Sequence, residues 1–134
     1  MRILALLALF LIGSATVVGA AEDVPAGQSV IRAQEEALSR DDAATAYTFA
    51  SPGIQKRFHD PETFMSMVRN GYAPVYRHRS FEFGEAKTTD GAILQEVHII
   101  DANGVAWEAL YTLEPQPDGS LKISGCVLTK AVIS

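Results

Sequence analysis

Hydrophobic positions recur at helical spacing through the first half of the chain and change to a period of two after Arg79. Ser29 caps a helix predicted to run to about Arg40, with Ile31, Gln34, Ala37 and Leu38 on a narrow inward stripe and Glu36 four residues ahead of Arg40. Asp41 and Asp42 interrupt that stripe and cap an alanine-rich second helix over Ala43 to Ala50, which Ser51-Pro52-Gly53 ends. Ile54 to Phe58 allows one further turn. The best-marked helix follows. Asp60 offers its carboxylate to the first free N–H groups, Pro61 occupies the position where its missing N–H costs nothing, and Glu62 meets the positive end of the dipole. Phe64, Met67 and Val68 share its inner face, and Gly71 is the expected left-handed stop.

Ser80 to Ala86, Ala92 to Ile100, Val105 to Glu114 and Ser120 to Leu128 read as strands, separated by Asp90-Gly91, Asn103-Gly104 and Asp118-Gly119. Each Asp-Gly or Asn-Gly pair is a hairpin signal, because its glycine tolerates positive φ. Helices first and strands second predict an α+β fold, with the N-terminal helices packed on one face of a curved antiparallel sheet of about four strands. A two-residue turn at Asn103-Gly104 would pair Ile100 with Trp107, His98 with Ala109 and Glu96 with Tyr111, all on one face. The other face would carry Ile93, Val97, Ile99, Glu108 and Leu110. With both faces partly apolar, a second covering surface such as a homodimer partner is expected.

Residues 1–21 differ in kind. Arg2 precedes an almost unbroken apolar run from Ile3 to Ile12, and small residues at Val18-Gly19-Ala20 or Gly19-Ala20-Ala21 suit a signal peptidase. This segment reads as a cleaved secretory signal, so the chain is expected in the periplasm or outside the cell, with no membrane attachment after cleavage. Residues 22–28, with Pro25 and Gly27, read as a flexible lead-in, and 29–134 as a single domain. The whole chain has 134 residues, 48% hydrophobic, and a net charge of −5. It is long enough for a core without disulfides, and its acidity argues against nucleic acid or an anionic bilayer as partner. Cys126 is the only cysteine. No internal disulfide can form; the thiol is either buried on a strand or bridged to another chain.

Three runs resemble a known family: Pro61 to Arg77 (PETFMSMVRNGYAPVYR), Trp107 to Glu114 (WEALYTLE) and Gln116 to Cys126 (QPDGSLKISGC). Together they are similar to the bacterial domain of unknown function 4864, over roughly Val30 to Leu128. More loosely, helices followed by a meander resemble the nuclear-transport-factor-2-like α+β cone, a superfamily with isomerases, dehydratases and many binding or assembly domains. The family resemblance implies no activity and brings no catalytic residue.

In such a cone the space between helices and concave sheet can stay open, with Phe64, Tyr72, Tyr76, Trp107 and Tyr111 as candidate ligand-binding residues. Glu96 and His98, two apart on one strand, are the candidate proton-transfer pair. His59, His78 and His98 lack any metal-ligand spacing, so neither a metal nor a cofactor is expected. Arg77, His78 and Arg79 form a small basic cluster, read as a solvated edge or an anion site. Three functions stay open: noncatalytic binding of a small hydrophobic ligand or a protein partner, an isomerase or dehydratase using Glu96 and His98, and a structural module with a filled core.

Overall fold

A computed structural model describes residues 20–132 of the chain, and side chains from Asp23 onward. Residues 1–19 of the expected signal segment lie outside the described residues. Five helices come first: α1 (Ala20–Ser39), α2 (Ala43–Thr48), α3 (Pro52–Arg57), α4 (Pro61–Gly71) and α5 (Ala73–Tyr76). Four strands follow: β1 (His78–Thr89), β2 (Ala92–Asp101), β3 (Ala106–Pro115) and β4 (Leu121–Lys130). They form one antiparallel sheet in the order β1-β2-β3-β4. The fold is α+β, with the helices on one face of the meander.

The stretch read as a flexible lead-in is instead the first half of α1, with Pro25 inside the helix. Packing explains why. Gly27 is buried, and a Cβ there would lie 3.3 Å from Ile93 Cδ1, so the missing side chain lets α1 approach the sheet closely. Gln28 Nε2 donates to Gln95 Oε1 at 3.1 Å. Gln95, 1% exposed, in turn donates to the carbonyls of Gly84 and Glu96, filling the bulge between Phe83 and Ala86. Tertiary contacts thus outweigh the weak local helix propensity of Pro25 and Gly27.

Helix α1 then buries Ile31, Gln34, Ala37 and Leu38, the stripe the spacing predicts. Asp42, Ser51 and Asp60 cap α2, α3 and α4 by accepting from the backbone N–H groups of Thr45, Ile54 and Thr63. On α4 the buried residues are Phe64, Met65 and Val68, whereas Met67 is only partly buried. Gly71 is no left-handed stop: it is the last helical residue, its φ is not positive, and Tyr72 closes the helix with its N–H on Val68. Pro74 at the start of the one-turn α5 accounts for the break.

The hairpins differ in loop length. Asp90 and Gly91, at φ 52° and 82°, form a two-residue turn between paired Thr89 and Ala92. Gly104 at φ 85° instead closes a three-residue loop, Ala102-Asn103-Gly104: Asp101 N–H donates to Val105 O, and Asp101 Oδ1 accepts from the N–H groups of Asn103 and Val105. The extra residue moves the β2–β3 register by one from the expected pairing. His98 faces Glu108, Glu96 faces Leu110, and Gln95 faces Tyr111. The expected shared face of Glu96, His98, Trp107 and Tyr111 is thereby corrected. Trp107, Ala109, Tyr111 and Leu113 look toward the helices with Ile93, Gln95, Val97 and Ile99; Glu96 and His98 look away.

Candidate functional site: a cavity between helices and sheet

The helices do not fill the concave side of the sheet. Between α1, α3, α4 and the β3–β4 edge lies a cavity of about 460 Å³, within the usual ligand-pocket range. Its apolar wall comes from Leu38 on α1, Phe64 and Val68 on α4, Val75 on α5 and Ile123 on β4, all buried. Ile54, Phe58 and Met67, partly exposed, stand nearer the opening, with the exposed Arg57 beside them. Two links hold this wall. Tyr47 packs edge-on against Phe64 at 5.7 Å between ring centres, and its hydroxyl donates to Phe58 O at 2.5 Å. On the sheet side, Ser51 N–H donates to Ile123 O, and Ile123 N–H to Phe49 O, both at 2.8 Å, tying the α2–α3 junction to β4.

Besides Arg57 and Ser124, four polar groups interrupt the apolar lining. Gln34, only 6% exposed, donates through Nε2 to Ala46 O at 3.2 Å; its carbonyl oxygen has no donor among the described residues. The Tyr111 side chain is buried against the Cys126 thiol across the β3–β4 pair, and the Tyr72 hydroxyl donates to Cys126 O at 3.1 Å. Burial pushes the Tyr111 hydroxyl well above its usual range, with the neighbouring Cys126 and Glu35 charges adding to the shift. Burial likewise pushes the Cys126 thiol up to about 12, against a smaller lowering by the Tyr111 hydrogen bond. Both are therefore neutral at physiological pH, suited to hydrogen bonding and unsuited to nucleophilic attack.

Of the aromatic residues singled out from sequence, Phe64, Tyr72 and Tyr111 meet in this cavity. Trp107 does not. It lies at the inner end of β3 over a shallower depression shared with Tyr72, Pro74 and Cys126, and its Nε1–H donates to Asp101 Oδ2 at 2.9 Å. Tyr76 lies outside as well, donating to the Asp41 carboxylate, with the Arg77 guanidinium stacked 3.9 Å from its ring centre. Glu96 and His98 lie on the outer sheet face; His98 Nδ1 is 3.7 Å from Glu108 Oε2, and both side chains are about half exposed. No tyrosine of the cavity reaches them across the sheet.

The basic cluster is divided among separate partners. Arg77 pairs with Asp41 Oδ2 at 3.0 Å and caps α1 through Leu38 O; His78 Nε2 is 2.6 Å from Glu35 Oε2, itself paired with Arg32 at 2.5 Å. Among the described residues no group of His, Cys, Asp and Glu is placed to hold a metal. Sequence reasoning missed Cys126, Gln34 and Arg57 as cavity residues. Cys126 required the β3–β4 register: the three-residue Pro117-Asp118-Gly119 loop alone would set Tyr111 opposite Gly125, and the irregularity between Thr112 and Leu113 moves it onto Cys126. Arg57 stands on a single helical turn whose direction no periodicity reveals.

Comparison with known proteins gives one family: a model described as Domain of unknown function (DUF4864) matches residues 20–133. No curated protein matches the chain significantly.

Proposed function

This chain belongs to the DUF4864 family, which carries no assigned activity, and from its own geometry we propose that it is a noncatalytic domain that binds a small, largely apolar molecule in the cavity between helices and sheet. The observation that carries this reading is the cavity itself, walled by Leu38, Phe64, Val68, Val75 and Ile123 and holding in Gln34 a buried carbonyl oxygen without a donor among the described residues. A buried polar atom left unpaired costs about 1–3 kcal/mol, a cost that a ligand hydroxyl or N–H would offset. The enzyme alternative asks for Glu96 and His98 beside a tyrosine hydroxyl inside the cavity, and their place on the outer face counts against it. The apolar run and small residues of the first 21 positions support export before this role is exercised.

One observation favours a protein partner in addition. Leu110 and Val127, cross-strand neighbours on the outer face, are 39% and 61% exposed, which suits a second copy of the chain pairing there. Native mass spectrometry of chain expressed with its N-terminal segment and purified without reductant tests both parts. The binding reading expects a small added mass that denaturation removes, and a cavity that stays empty against a panel of apolar probes would overturn it. The pairing reading expects a dimer that Leu110→Lys converts to monomer; a monomer at all concentrations would overturn that part alone.

A further inference from the structure

The rim of the cavity carries a positive charge without an acidic partner among the described residues. Arg32, Arg40, Arg69 and Arg77 each stand within 4.0 Å of a carboxylate, of Glu35, Asp42, Asp41 and Asp41 respectively. Arg57 does not. Among the described residues its guanidinium makes neither an ion pair nor a side-chain hydrogen bond, and it lies only 5.8 Å from the Phe58 ring centre. It lines the apolar cavity and also the adjoining depression formed with Ser51, Gln116 and Ser124. Glu114 lies in that depression too, yet no ion pair joins it to Arg57. Lys56 precedes Arg57 in the last turn of α3 and is exposed, so the local charge at this mouth is positive on a chain whose net charge is −5. Ser124 stands across the opening. Its hydroxyl approaches Thr112 O at 3.4 Å, a long hydrogen bond that an incoming oxygen acceptor could replace.

From this we infer that the ligand is an anionic amphiphile: an apolar chain enters the cavity between Phe64, Val68 and Ile123, and a carboxylate-type headgroup stays at the rim on Arg57. The assignment rests on the binding reading above and adds the chemical class of the ligand. Its physical basis is a division of labour. The apolar wall supplies non-directional affinity, whereas the planar guanidinium of Arg57, exposed and lining the cavity, can fix a carboxylate by two parallel hydrogen bonds. Because Arg57 has no partner to give up among the described residues, engaging the anion breaks no pair seen there. Its rim position keeps the headgroup partly hydrated, which avoids the penalty of burying a charge.

The test is calorimetric titration of the protein with dodecanoate and, separately, with dodecanol, which keeps the chain and removes the charge. Dodecanoate is expected to bind about tenfold or more tightly than dodecanol, equivalent to roughly 1.4 kcal/mol. Arg57→Gln should bring dodecanoate affinity down to that of dodecanol, and Arg57→Lys should restore part of the preference. Arg57 is exposed and, among the described residues, unpaired, so neither variant threatens the fold. Equal affinity of the native protein for the two probes, or a carboxylate preference that survives Arg57→Gln, would overturn the anion assignment and leave the cavity reading standing. Failure of both probes to bind would overturn the cavity reading and this inference together.

Discussion

Replacing Val68 by leucine asks directly whether the space beneath α4 is open. Val68 is 5% exposed and forms part of the cavity wall, on a helix whose other inward residues, Phe64 and Met65, are 4% and 0% exposed. Leucine adds one methylene. Where that group enters existing empty space, it gains about 0.8 kcal/mol of transfer free energy. Leucine's somewhat higher helix propensity acts in the same direction, so a stabilisation of about 1 kcal/mol is expected. For a domain of roughly 100 residues this raises Tm by about 4 °C. The alternative has the opposite sign: in a core already packed to native density an extra methylene forces strained rotamers and costs about 1–3 kcal/mol. Urea denaturation with a thermal scan decides the matter. The urea slope should match that of the parent protein, so that a change in midpoint reports stability rather than compactness. A destabilisation of about 1 kcal/mol or more at unchanged slope would refute the open cavity and favour a filled structural module.

Two further outcomes follow from particular residues. Gly71→Ala should stabilise the protein by about 0.5–1 kcal/mol, because the residue is helical, its φ is not positive and a Cβ would meet nothing within 4 Å; a lower Tm would show that α4 needs a glycine there after all. The thiol of Cys126 gives a pH dependence with a definite sign. Its folded value of about 12 lies above the ordinary 9.0, so folding favours the neutral thiol; this contribution is complete below about pH 9 and is lost as pH rises towards 12. The raised Tyr111 hydroxyl acts in the same direction. Cys126→Ser should therefore flatten the alkaline decline in stability. In the native protein, iodoacetamide at about pH 8 should modify Cys126 only slowly until denaturant is added, and rapid native labelling would contradict the buried-thiol account.

How far the sequence could be read depended on the range of the interaction involved. Caps at Asp42 and Asp60 act within three residues, and both are in place, whereas Ser51, read as part of a helix end, caps α3 instead. The strand order follows from hairpin connectivity, and the α1 stripe of Ile31, Gln34, Ala37 and Leu38 follows from helical spacing alone. The failures lie where a distant partner decides. Pro25 and Gly27 look like breakers in isolation, but the helix is held there by contacts of Gly27 and Gln28 with Ile93 and Gln95 far along the chain. The β2–β3 register turned on a single loop residue. Because strand side chains alternate, that one residue carried Glu96 and His98 to the outer face and brought Tyr111 into the core beneath the helices. The cavity was legible only in part: Phe64, Tyr72 and Tyr111 could be named from sequence as candidate lining residues. Gln34 was placed on the correct stripe, but its unpaired carbonyl depends on which group of α2 it meets. Family membership added coverage of nearly the whole described domain without adding a chemical role.

The central claim is that the helix–sheet cavity is the place where a ligand binds. Methyl-detected NMR during titration with dodecanoate tests it most directly, because cavity and outer face carry different methyl groups. Saturable shifts are expected at Leu38, Val68, Val75 and Ile123, with Leu94, Ile100 and Leu110 of the outer face unmoved. Saturable shifts confined to the outer-face methyls, or no shifts at all, would contradict it.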